Sequence, residues 1–162
     1  MLEEQGFNAT LHDRANFHCG VPALDDYLHK YAAQQTAKGI STVFVLVDDA
    51  APSKILGFYT LSAAQVGVQQ LGDTERKKLP RYPVPCFRIG RLARAIDCRG
   101  AGLGEALIGC AVDRCLHARS LVGAYALLVD AKDEKSKLFY ERYGFIPCVD
   151  AQMTLYLPLG CA

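Results

Sequence analysis

The stretch CRGAGLG, residues 98–104, stands between a strand-like run, CFRIGRLARAID, and an amphipathic helix pattern, GEALIGCAVDRCLHARS. A chain that passes from a strand through three close glycines into a helix has few folds open to it. The segment that follows, AYALLVDA, is an almost unbroken apolar run, as a central strand covered on both faces is. Strand, turn, helix and strand in that order predict an α/β arrangement on one central sheet. The flanking segments agree. STVFVLVD and KILGFYTLSAAQVGV read as strands, KDEKSKLFYERYGF as a helix stopped by Gly144, and AQMTLYLPL as a final alternating strand. Upstream, ALDDYLHKYAAQQTAKG sets Leu24, Tyr27, Leu28 and Tyr31 at helical spacing before Gly39. In GDTERKKLPRYPVP a short helix gives way to extended chain, because closely spaced prolines do not hold a helix.

The length of 162 residues fits a single domain, 1–162, large enough to bury a core. With 51% hydrophobic and 22% charged residues the chain is a folded one, not a disordered one. No apolar window reaches the ~18 residues of a membrane span. The opening MLEEQGFNAT is acidic where a signal peptide is basic and then apolar, so the expected compartment is the cytoplasm. The seven cysteines form no C-x-x-C pair, which points to reduced core residues and to no metal.

At the start of a helix, unpaired backbone N–H groups meet the positive end of the dipole, and glycines let a ligand come close to them. Arg99 beside them adds a charge that pairs with phosphate oxygens. The stretch therefore reads as a phosphate or pyrophosphate seat, with a tight packing turn as the alternative. A P-loop is excluded, since no lysine follows Gly104. A dinucleotide fingerprint fits poorly, because Glu105 stands where a small residue is needed.

Read as Arg99-x-x-Gly102-x-Gly104, this stretch resembles the pyrophosphate signature of the GNAT superfamily of N-acetyltransferases. Phe139, Tyr140, Gly144 and Phe145 are similar to the C-terminal motif of that family. LPRYPVP, GRLAR, FYERYGF and FHCGVPALDDYL resemble one branch of it, the toxins of bacterial toxin–antitoxin modules that acetylate the amino acid on charged tRNA. Arg94 and Ala95 depart from that branch, which carries a small apolar residue and then an acid there. The resemblance implies a central mixed, mostly antiparallel sheet with a splayed pair of central strands and helices on both faces. It implies acetyl-CoA as cosubstrate. Leu92, Ala93 and Arg94 would pair with the pantetheine arm, Arg99, Gly100, Ala101, Gly102, Leu103 and Gly104 would hold the pyrophosphate, and Asp130, Ala131 and Phe139 would line the opposite wall.

Acyl transfer from a thioester to an amine needs a proton for the departing thiolate. With the resemblance in view, Tyr140 is the expected general acid, since a phenol titrates near ~10 and keeps its proton at neutral pH. None of His12, His18, His29 and His117 is assigned as a base; His29 and His117 read as solvent-facing or capping residues. An ester-linked α-amino group needs no dedicated base.

From Arg76 to Arg99 eight basic residues stand against one acid, Asp97. Arg76, Lys77, Lys78, Arg81, Arg88 and Arg91 are the candidates for contact with RNA phosphates, and Tyr82 for stacking on a base. Net charge of +1 argues for a focused patch rather than a generic nucleic-acid binder. A small-molecule or protein amine is the alternative acceptor, and a non-catalytic coenzyme A-binding protein the alternative class. The resemblance further implies a homodimer and a ribbon–helix–helix antitoxin as partner.

Overall fold

The computed structural model describes residues 1–98, 100 and 102–160. Its elements in chain order are β1 (Leu2–Gly6), α1 (Pro22–Asp26), a wide π turn (Tyr27–Tyr31), α2 (Ala32–Ala37), β2 (Thr42–Asp48) and β3 (Gly57–Val66). Then come α3 (Asp73–Arg76), β4 (Val84–Arg94), α4 (Leu103–Ala118), β5 (Ala126–Asp130), α5 (Glu134–Arg142), β6 (Ile146–Pro147) and β7 (Thr154–Pro158). Single 3-10 turns at Val68–Gln70 and Ile96–Cys98 complete the chain.

The strands form one mixed, mostly antiparallel sheet of seven strands in the order β1-β2-β3-β4-β5-β7-β6. The pair β4–β5 is parallel, with Cys86 opposite Ala126 and Ile89 opposite Val129. Residues 126–129 of β5 are all buried, as the unbroken apolar run demands.

By its internal contacts the chain divides into two compact units, Met1–Ser62 with Gly90–Ala111, and Ala63–Ile89 with Val112–Ala162. The core of the first gathers Phe17, Tyr27, Leu28, Val43, Val45, Val47 and Phe58, with Ala93 and Ala95 from the end of β4 and the residue after it. Phe58 is the aromatic centre of that core, met edge-on by Phe17 at 5.5 Å and stacked with Tyr27 at 6.1 Å. The core of the second gathers Val66, Leu71, Val84, Cys86, Ala126, Leu128, Cys148 and Tyr156.

One expectation is corrected, and two strands that the sequence pattern does not mark are added. The helix over 23–39 is not continuous: at Tyr27–Tyr31 the bonding widens, and the Ala32 N–H bonds to the Tyr27 carbonyl. Strand β1 carried no apolar alternation, because it is an edge strand paired only with β2 and largely exposed. The two-residue β6 lies at the other edge and is too short to leave a pattern. Of the six described cysteines, Cys86, Cys115 and Cys148 are buried core residues as expected, whereas Cys19, Cys98 and Cys110 are only half-buried. Burial pushes the Cys86 thiol up to about 11 and the Cys115 thiol up to about 12, so neither is a nucleophile at neutral pH.

Candidate active site

In the first unit the site is built on the end of β4. Its parallel ladder with β5 stops at Ile89, while the strand itself runs on to Arg94. Just past the ladder, the Arg91 N–H donates to Thr60 Oγ1 at 3.0 Å. Thr60 is only 1% exposed, so a side-chain oxygen here satisfies a backbone donor inside the core. Sequence reasoning missed Thr60, although a polar residue within the apolar run GFYTLSAA was a signal for it. Arg91 is half-buried, its guanidinium 3.9 Å above the ring of Tyr27, a cation–π contact that holds the side chain in place.

Beyond β4 the chain is tied down before it turns. The Ala95 N–H bonds to the Leu56 carbonyl and the Ile96 N–H to the His18 carbonyl, both at 2.8 Å. Lys54 Nζ lies 3.1 Å from Asp97 Oδ2, and each raises the charged fraction of the other. His18, Lys54, Ala95, Ile96 and Asp97 border a pocket of about 350 Å³ that also takes in Asp13, Asn16 and Ser53. Of the two residues that depart from the toxin pattern, Ala95 is buried and Arg94 exposed.

Of the predicted pyrophosphate seat, Arg99 and Ala101 lie outside the described residues. Gly100 and Gly102 are exposed and have φ of +82° and +72°. A Cβ would meet nothing within 4 Å at either position, so glycine is there for backbone conformation and for an open approach. Leu103 is buried and starts α4, with Gly104 in its first turn. Leu92 is half-buried and Ala93 buried.

In the second unit α5 carries the expected acid. Asp133 caps the helix, its Oδ1 accepting the Ser136 N–H at 2.8 Å, and Gly144 follows the helix end with φ +94°. Between these stops Tyr140 turns inward and is 9% exposed, while Glu141 is exposed. Phe139 and Phe145 meet the Tyr140 ring edge-on at 5.3 and 5.6 Å. Burial, and secondarily the charge of Asp130, pushes the Tyr140 phenol up to about 12. At neutral pH the Tyr140 phenol is therefore protonated. Ala131 is buried, its N–H bonded to the Met153 carbonyl. Asp130 is exposed at the end of β5, accepts from Thr154 Oγ1 at 2.9 Å and forms an ion pair with Arg88.

That ion pair already answers the charge of Arg88, one of the basic candidates. Arg76 is paired with Asp73 on α3. Lys77, Lys78 and Arg81 are exposed, and Tyr82 is 66% exposed. The histidines differ from one another. His117 is exposed as expected, but half-buried His29 has Nε2 2.8 Å from the Phe17 carbonyl and meets His18 edge-on. His12 is buried between the Asn8 N–H and the Gln5 side chain, and burial lowers its pKa. Among the described residues no cluster of His, Cys, Asp and Glu could hold a metal ion, and no helix is long and apolar enough to cross a membrane.

Known proteins are similar to this chain in sequence and fold. A tRNA-acetylating toxin of Mycobacterium tuberculosis (strain ATCC 25618 / H37Rv) is 35% identical over 133 residues, which cover 82% of this chain and 78% of that protein. A solved structure of AtaT complexed with acetyl-methionyl-tRNAfMet superposes with a TM-score of 0.91 at 28% identity, covering 98% of this chain and 95% of that one. A second AtaT structure, of a mutant toxin bound to acetyl-CoA and the C-terminus of the antitoxin AtaR, gives a TM-score of 0.82 at 26% identity, covering 98% and 93%. The profile of the acetyltransferase (GNAT) family matches residues 10–145. With that match and the relative at 35% identity, the chain belongs to the acetyltransferase (GNAT) family.

Proposed function

We propose that this acetyltransferase transfers the acetyl group of acetyl-CoA to the α-amino group of an aminoacyl-tRNA, and acts as a toxin by blocking translation. The observation that carries the RNA part is the exposed segment Lys77, Lys78, Arg81 and Tyr82, basic and aromatic side chains with no acid paired to the three cations among the described residues. Such a segment meets phosphates through its cations and a base through its ring. The similarity to a tRNA-acetylating toxin supports the same reading.

The residues fit acetyl-CoA in two respects. The positive φ and open space at Gly100 and Gly102 suit a backbone seat for pyrophosphate ahead of α4, completed by Arg99, Ala101, Leu103 and Gly104. Beyond its ladder with β5, the end of β4 at Leu92, Ala93 and Arg94 offers backbone groups to a pantetheine arm. Asp130, Ala131 and Phe139 complete the set. Acetyl-CoA supplies an acetyl group activated as a thioester. Tyr140 holds a proton at Oη for the departing thiolate, and its high pKa keeps that proton in place throughout the neutral range. We read residues 1–162 as one N-acetyltransferase domain that works in the cytoplasm as a homodimer, held inactive by a ribbon–helix–helix antitoxin.

Alanine at Lys77, Lys78 and Arg81 together tests the RNA reading. The KM for charged tRNA is expected to rise about tenfold or more, and the slope of log KM against log salt to fall by about 2. Initial rates at several salt concentrations measure both, with the KM for acetyl-CoA unchanged. An equal KM and slope for variant and wild type would refute the assignment of this segment.

A further inference from the structure

A second group of residues governs how the basic segment leaves the sheet. Tyr156 on β7 is fully buried, yet its hydroxyl makes two hydrogen bonds. It accepts the Gly72 backbone N–H at 3.0 Å and donates to Glu75 Oε2 at 3.2 Å. Gly72 precedes α3 and Glu75 lies within it, so both bonds end on the short helix that opens the basic segment. Burial raises the Tyr156 pKa and the charge of Glu75 adds to it, so the hydroxyl stays protonated and able to donate. The fit is close: a Cβ at Gly72 would lie 3.0 Å from Glu75 Oε2 and 3.3 Å from the Tyr156 hydroxyl oxygen.

The same stretch is held from a second side. The Val149 N–H bonds to the Gln70 carbonyl at 2.9 Å, and Gln70 Nε2 reaches Asp150 Oδ1 at 3.3 Å. Leu71 and Val84, at the two ends of the segment, are buried in the same cluster as Tyr156. Between these anchors Lys77, Lys78, Arg81 and Tyr82 are exposed. A phenylalanine would fill the space of Tyr156 equally well. What the hydroxyl adds is the clasp on Gly72 and Glu75.

We propose that the Tyr156 hydroxyl is a positioning group for acceptor recognition, fixing α3 so that Lys77, Lys78 and Arg81 meet the phosphates of charged tRNA together. The inference rests on the aminoacyl-tRNA reading above. Cations held in one register engage several phosphates at once, whereas on a loosened segment they engage fewer, which weakens binding and its salt dependence together.

The test compares wild type, Tyr156→Phe and Glu75→Ala in acetyl transfer from labelled acetyl-CoA to total charged tRNA across a salt series. For Tyr156→Phe the KM for charged tRNA is expected to rise roughly fivefold, with a shallower salt slope. Its kcat and its KM for acetyl-CoA stay within about twofold, as for a group acting on the acceptor alone. Glu75→Ala separates positioning from charge. Loss of an acid beside cations would by charge alone lower the KM for RNA, but loss of the clasp raises it. A wild-type KM and slope in Tyr156→Phe, or a lowered KM in Glu75→Ala, would overturn the proposal while leaving the RNA reading intact. A parallel fall in kcat and acetyl-CoA affinity would also overturn it, by showing a general structural role. Absence of label on charged tRNA with the wild-type protein would instead defeat the functional reading on which the proposal stands.

Discussion

Tyr140→Phe is expected to lower acetyl transfer by about 100-fold or more, the usual contribution of a positioned general acid. Acetyl-CoA affinity should stay within about twofold, because the variant removes an oxygen and leaves the ring contacts with Phe139 and Phe145. The pH dependence follows from the direction of the shift. With its pKa pushed up to about 12, Tyr140 is protonated throughout the neutral range, and it loses the acid form only as pH rises toward that value. Rates for wild type and variant therefore differ by a constant factor between about pH 6 and 9. Stopped assays with labelled acetyl-CoA, and equilibrium binding of coenzyme A, measure the two halves of the prediction. A variant with wild-type turnover would remove Tyr140 from the chemistry.

The second large effect is expected at Gly102. Its φ of +72° is left-handed, a region that costs an ordinary residue about 1–2 kcal/mol and a β-branched one more. Gly102→Val forces the turn to relax away from the conformation that opens its N–H groups. The KM for acetyl-CoA should rise about tenfold or more, for an effect confined to the cosubstrate. Gly109→Ala is the control, since Gly109 lies within α4 with no atom within 4 Å of its Cβ position. Alanine there should be neutral or stabilise by up to about 1 kcal/mol, as helix propensity predicts. Thermal melts of both variants distinguish a damaged seat from a damaged fold.

Much of this was legible in the sequence, for reasons that lie in particular residues. The buried run at 126–129 of β5 is apolar because both faces are covered, and of the inner stripe expected on α4, Leu103, Leu107 and Ala111 are buried while Cys110 is only half-buried. The glycines around 102 and Gly144 were legible because a positive φ limits the residue types allowed, whereas the role expected of Tyr140 came from the resemblance of FYERYGF alone. Other features left no local trace. Tyr156 looks like any aromatic in a strand, and only the tertiary structure brings Gly72 and Glu75 to its hydroxyl. Arg88 and Arg91 read as two more cations of the basic run. One is answered by Asp130 and the other rests on Tyr27, partners distant in sequence. The widened turn at Tyr27–Tyr31 escaped for the opposite reason, because helical spacing of apolar residues tolerates a single extra residue without losing its stripe.

The most direct test of the account is transfer of labelled acetyl from acetyl-CoA into total charged tRNA by the wild-type protein, followed by alkaline release of the amino acids. The account predicts label on the α-amino group of the released amino acid, with a yield that falls as salt rises. Label on free amines or peptides, with none on the aminoacyl group, would contradict it.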